Sequence, residues 1–327
     1  MVTWIKDPAV AWTGNKNRAR RGVLVSQGRI LELVDDLPRA EYDEVFDASG
    51  LVLIPGLINC HHHFYQTLTR ALPAALNKEL FPWLASLYPV WSKLTDESVR
   101  ASTRTAVCEL LLSGCTTTVD HHYVFSKTLS RAIDVQAEEI KSLGIRAILT
   151  RGSMSLSEEN GGLPPSEVVQ TENVILKDSE RLIDQWHDRS EGAMLQIALA
   201  PCSPFSVTEE LMSASAQLAR EKKVLLHTHL AETSDENSFC ENLYGCRPLD
   251  YLEKVGWLSG YVWLAHGIHF SSEEIQRLGR TKMGICHCPS SNMTLASGFC
   301  PVEELRAAGA PVGLGVDGSS SNDSSNL

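Results

Sequence analysis

Residues 55–66 read PGLINCHHHFYQ, an apolar run that ends in three consecutive histidines. In a strand, residues i and i+2 point to the same side. His61 and His63 therefore face one way together, into the fold, and His62 faces the other way. Two same-side imidazoles are what a transition metal takes from a single strand. An HxH pair alone is a weak signal, so the rest of the chain must supply further ligands at the ends of other strands.

Outward from this stretch the same texture recurs. Eight short apolar runs stand out: LINCHHH (57–63), TTTVDHH (116–122), RAILTRG (146–152), LQIALAP (195–201), VLLHTHL (224–230), VWLAHGIH (262–269), MGICHCP (283–289) and VGLGVDG (312–318). Helical stretches separate most of them. TDESVRASTRTAVCELLLSG (95–114) has acidic residues in its first turn and Gly114 as a stop. SSEEIQRLG (271–279) opens with a capping box, Ser271 and Glu274, and PVEELRAAG (301–309) starts on Pro301 and ends on Gly309. Strands alternating with helices predict parallel βαβ units, and eight of them predict an α/β fold of the (β/α)8 TIM-barrel type. Catalytic groups of such a barrel sit at the C-terminal ends of its strands. His61 and His63, His121 and His122, His229, His266, His287 and Asp317 all fall late in their runs. Of eleven histidines, only His187 falls in a predicted helix.

Before residue 55 the chain is rich in β-branched residues and turns. RGVLVSQGRILELV (21–34) predicts a hairpin broken at Gly28, and FDASGLVLIP (46–55) another strand. The expected division is a small N-terminal β-sandwich layer over 1–54 and a metal-dependent barrel over 55–327.

Bulk properties exclude several classes. A net charge of −11 leaves no basic surplus for nucleic acid, and the one basic run, NKNRARR (15–21), reads as a solvated loop. No apolar run is long enough to span a membrane, and the first residues lack the pattern of a signal peptide. Nine cysteines without a compact framework fit a reducing, cytoplasmic setting. Cys286 and Cys288 have no second CxC or CxxC partner and read as packing residues of the seventh run.

The combination PGLINCHHH (55–63), LLHTHLAET (225–233), LAHGIH (264–269) and GLGVDGSSSND (313–323) resembles the amidohydrolase superfamily, in its purine and pyrimidine deaminase branch. The resemblance implies one metal, zinc or alternatively iron(II), on His61, His63, His229 and Asp317. LQIALAP has no lysine of the kind that marks two-metal relatives. The implied chemistry is hydrolytic deamination. The metal makes hydroxide available near neutral pH. Asp317 carries the water's proton to the leaving ammonia, Glu232 protonates a ring nitrogen as general acid, and His266 orients the nucleophile. A different deaminase fold uses HxE with PCxxC, and that signature is absent.

For the substrate, the resemblance points to Gln66 against a purine edge. PCSPFS (201–206) resembles a family element in which a histidine touches substrate, and here Cys202 stands in its place. The stretches 61–91 and 113–125 are similar to bacterial 8-oxoguanine deaminases, which implies conversion of 8-oxoguanine to urate and ammonia. Guanine, isocytosine and hydroxytriazines share the same amidine edge and remain alternatives. Trp83, Tyr88 and Trp91 are offered as an apolar wall, and His122 as either a substrate contact or a structural strand end. Segment 151–169, rich in Gly and Pro, reads as a lid or a passive loop. The expected partners are a small purine- or pyrimidine-like base and a second copy in a homo-oligomer, with no nucleic acid and no membrane. Relatives continue past the equivalent of Leu327, so the barrel is expected to be truncated at its C-terminus. That leaves a reading of another class, an inactive metal-binding fragment.

Overall fold

A computed structural model describes residues 1–14 and 19–327. The start of the basic run at 15–21 lies outside the described residues. Of the remainder, Arg21 pairs with Asp7 at 2.5 Å. The chain divides into two compact units, Met1–Leu57 and Ile58–Leu327.

In the first unit, β1 (Thr3–Lys6), β3 (Gly22–Ser26), β4 (Arg29–Leu33) and β5 (Glu44–Asp47) form a sheet in the order β4-β3-β1-β5. A two-strand ribbon pairs β2 (Val10–Ala11) with β6 (Val52–Leu53). The hairpin at Gly28 is present. Ser26 pairs with Arg29, and Gln27 and Gly28 both have positive φ, +47° and +74°. That is a two-residue turn whose twist matches the strands it joins. Trp4, Leu24 and Val34 make the unit's small core.

The second unit is the predicted barrel. Its strands are β7 (Leu57–Asn59), β8 (Cys115–His122), β9 (Arg146–Ser153), β10 (Leu195–Pro201), β11 (Leu226–Leu230), β12 (Val262–His266), β13 (Gly284–His287) and β14 (Val312–Leu314). Each hydrogen-bonds to its neighbour in sequence, and the pairs from β8 through β14 are parallel. The Cys60 N–H donates to the Leu314 carbonyl at 2.8 Å, bridging the two ends of the sheet. These strands read as continuous apolar runs because both faces are covered.

Local signals end the helices where expected. Helix Asp96–Leu112 is capped by the Thr95 hydroxyl, and Gly114 follows it at φ +87°. Helix Ser272–Thr281 carries the complete Ser271/Glu274 capping box. His187 is the C-cap of helix Glu172–Trp186 rather than a residue within it. Segment 151–169 is pinned by backbone bonds, among them Leu163 N–H to the Phe205 carbonyl at 3.0 Å and Leu156 N–H to the Ser206 carbonyl at 3.1 Å.

Candidate active site

Every expected ligand converges at the C-terminal rim of the barrel. The Asp317 Oδ1 lies 3.3 Å from both His61 Nε2 and His63 Nε2, and His63 Nε2 is 3.2 Å from His229 Nε2. His266 Nε2 stands 3.8 Å from Asp317 Oδ2 and 3.5 Å from the Glu232 carboxylate. All these side chains are buried.

The outer bonds of the rings decide which nitrogens face the centre. His63 Nδ1 is 2.6 Å from the His121 carbonyl and His229 Nδ1 is 2.7 Å from the Cys202 carbonyl. A carbonyl only accepts, so both Nδ1 atoms carry hydrogen and both Nε2 atoms are lone pairs. The third ring is settled through His227, whose Nδ1 donates to the Trp263 carbonyl at 2.8 Å. Its Nε2 must then accept, and His61 Nδ1 donates to it at 2.7 Å. The inward His61 Nε2 is left a buried lone pair without a hydrogen-bond partner. Three neutral imidazole lone pairs and a carboxylate aimed at one point repel one another unless a cation lies between them. The donor set therefore fits a metal of the zinc or iron type, with the orienting partners that such histidines require.

The electrostatics agree with this assignment. Burial pushes the His63 ring down to about 3 and His229 well below its ordinary value, holding both neutral. Asp317 lies well below its ordinary value despite burial, and with His61 and His63 neutral it is the charged His266 ring that favours its carboxylate. Burial carries Glu232 up to about 7 against the pull of His266. Burial opposes a charge on His266, yet Glu232, Cys288 and Asp317 prevail and bring it to about 9. The backbone is strained at the same places. Ala231, His266 and Asp317 adopt φ of +54°, +71° and +62°, conformations that non-glycine residues hold only where the surroundings impose them.

Above the rim lies a cleft with roughly 360 Å³ of empty space, open solvent included. Gln66, Cys202 and Glu232 line it with Trp83, Tyr123 and Phe205. The Gln66 Oε1 is buried without a partner. Burial pushes the Cys202 thiol up to about 12, so it faces the cleft uncharged.

Two expected substrate contacts are not at the cleft. His122 follows His121 in β8 and so points to the other side of the strand, where its Nε2 bonds the Val124 carbonyl at 2.8 Å. Trp91 is packed behind the cleft wall, with its Nε1 donating to Thr69 Oγ1 at 3.1 Å. His62 is not solvent-facing either, since Ser325 Oγ covers its Nε2 at 2.8 Å. Conversely, Tyr123, His227 and Asn292 were not singled out from sequence. His227 had a legible signal, because it stands two residues before His229 on β11 as His61 does before His63. Asn292, which meets His266 Nδ1 at 2.9 Å, had none.

A parallel barrel whose rim gathers histidines, an aspartate and a buried glutamate around one point defines a metal-dependent hydrolase of the carbon–nitrogen class. The chain belongs to the amidohydrolase family, whose sequence model matches residues 52–327. It is 59% identical over 327 residues to the 8-oxoguanine deaminase of Pseudomonas aeruginosa, covering 99% of this chain and 73% of that protein. It is 37% identical over 317 residues to a hydroxydechloroatrazine ethylaminohydrolase of a Pseudomonas species, covering 93% of this chain and 66% of that one. The crystal structure of the Arthrobacter aurescens atrazine chlorohydrolase complexed with zinc superposes with a TM-score of 0.94 at 31% identity, covering 100% of this chain and 74% of that one. No helix among the described residues is long and apolar enough to cross a membrane. Nothing in this arrangement supports the inactive-fragment reading.

Proposed function

We propose that the chain deaminates 8-oxoguanine hydrolytically to urate and ammonia, with 1–54 as an accessory β-layer and 55–327 as the catalytic barrel. The observation that carries this reading is the 59% identity to an 8-oxoguanine deaminase across nearly the whole chain.

His61, His63, His229 and Asp317 would hold one zinc, as the zinc-complexed neighbour suggests. When bound, the metal supplies Lewis acidity that makes water nucleophilic near neutral pH. The remaining work falls to side chains. Glu232, raised by burial to about 7 and so able to carry a proton near neutrality, gives it to a ring nitrogen as the C–O bond forms at the amine-bearing carbon. Asp317 takes one proton of the water and delivers it to the amine nitrogen, so the C–N bond breaks with ammonia as leaving group, and the proton left on the new hydroxyl returns to Glu232 as the carbonyl forms. His266, held by Asn292, stabilises charge beside Glu232 and Asp317. Gln66 offers an amide that can donate and accept along one edge of the base. Nine free thiols accord with a reducing cytoplasm, and a homo-oligomer is the proposed assembly.

The test is ammonia release from zinc-loaded protein with 8-oxoguanine, guanine, isocytosine and a hydroxytriazine side by side. Preference for 8-oxoguanine is the expected result, and preference for any other ring overturns the substrate assignment. Glu232→Gln should retain the metal and lose about 100-fold or more in turnover. His229→Ala should lose the metal itself.

A further inference from the structure

Behind Glu232 lies a second carboxyl group that the reaction above does not use. Glu236 is fully buried, and among the described residues no lysine or arginine forms an ion pair with it. Its Oε2 accepts the Glu232 N–H at 2.9 Å, while its Oε1 has no hydrogen-bond partner. Burial pushes this carboxyl up to about 8, opposed by the Glu232 and Ala231 N–H groups. Burying such a group is costly, so its position calls for a reason.

The helix it belongs to sharpens the point. Glu236 is the third residue of helix Ser234–Tyr244, whose N-cap is Thr233. A glutamate there ordinarily reaches back to the N–H of the cap residue. Glu274 does so in helix Ser272–Thr281, taking the Ser271 N–H at 2.7 Å. Glu236 instead reaches past Thr233 to the N–H of Glu232. The Thr233 hydroxyl makes no cap bond and is itself buried without a partner. The helix has given up its own cap to hold the peptide in front of it.

That peptide is strained and tied from its other side. Ala231 has φ +54°, and its carbonyl accepts from the Ile268 and His269 N–H groups at 2.8 and 2.9 Å. Those donors lie two and three residues after His266. The Glu232 backbone is thereby clamped between the loop after β12 and the Glu236 side chain.

We propose that Glu236 is a positioning residue, which acts through the Glu232 backbone to keep the Glu232 carboxyl beside His266 and facing the cleft. This rests on Glu232 being the general acid. A displacement of the acid by about 1 Å is enough to cost up to about 100-fold in rate, so the bond has leverage out of proportion to its own strength.

The test compares zinc-loaded wild type, Glu236→Ala, Glu236→Gln and Glu236→Asp for kcat, KM and metal content with 8-oxoguanine. Expected is a fall in kcat of about tenfold or more for Glu236→Ala, with KM and metal content within about twofold of wild type. Glu236→Gln keeps an acceptor oxygen at the same reach and should recover most of the rate. Glu236→Asp keeps the charge, falls one methylene short and should not. Should the alanine variant fail to fold, the Gln and Asp pair still decides the matter. An unchanged kcat in Glu236→Ala, a loss carried by KM or metal, or equal rates for Gln and Asp overturns the inference. Near-normal turnover by Glu232→Gln is a separate result, since it overturns the general-acid reading on which the inference stands.

Discussion

Asp120 shows how much the site depends on single buried atoms outside it. Its two oxygens accept from the Phe64 N–H at 2.6 Å and Gln136 Nε2 at 2.7 Å, which ties the chain just after His63 to β8 and to helix Ala132–Leu143. No cation offsets its burial, and its carboxyl is pushed up to about 7. A group protonated more readily in the folded state contributes stability at low pH that is lost as pH rises through its folded value. Asp120→Asn removes the ionisation, and its amide can donate to the unpartnered Gln136 Oε1. The variant should match wild type in melting temperature near pH 4 and exceed it near pH 8. A constant difference across that range would show that ionisation of Asp120 is not the cause. Gly318 is the second such position. A Cβ there would overlap the Gln66 side-chain amide. Gly318→Ala should therefore raise KM about tenfold by expelling Gln66, and should add little in a Gln66→Ala background. Additive effects of the two changes would sever the link.

At the scale of elements, the loops matter more than the strands. The segment that follows β14 lies across the loop that follows β7. Ser320 Oγ meets Thr69 Oγ1 at 2.6 Å, Trp83 Nε1 donates to the Ser320 carbonyl at 3.3 Å, and the Ser325 N–H donates to Glu109 at 3.0 Å. Glu109 is also held by Arg70 at 2.7 Å. These contacts seat Gln66 and Trp83 at the cleft, and no local periodicity announces them. Helix ends behave differently, because their partners are three or four residues away. Ser271→Ala breaks the capping box of helix Ser272–Thr281 and should cost about 1 kcal/mol in chemical denaturation. Turnover should be unchanged, because the helix lies outside the cleft lining.

For the whole molecule, the proposed metal cluster would be a folding element as well as a catalytic one. Its ligands come from β11, from the ends of β7 and β14, and from no single local segment, so they meet only in the closed barrel. Removing the metal leaves the lone pairs of His61, His63 and His229 facing one another in a buried space. Chelation should lower the melting temperature, and added zinc should restore it. At a free metal level of about 100 times Kd the linkage is worth about 2.7 kcal/mol. A melting temperature indifferent to chelator would mean that the histidines hold no metal.

Sequence alone determined the parts governed by short-range rules. Alternation placed His61 with His63, the repeat of eight apolar runs set the barrel, and the strand-end positions of His229, His266 and Asp317 placed these side chains on one rim. Each follows from the two-residue period of a strand and the right-handed βαβ crossover, which act within a few tens of residues. The side of His122 was open to the same rule, since it is one residue beyond His121. Only the tertiary structure decided that Trp91 lies behind the cleft, that His227 sets the tautomer of His61, that Asn292 meets His266, and that Glu236 passes over its own helix cap to reach Glu232. These relations depend on how loops from distant strands fold over a shared rim. Burial and unsatisfied hydrogen-bonding groups select them there, and neither exists until the barrel has closed.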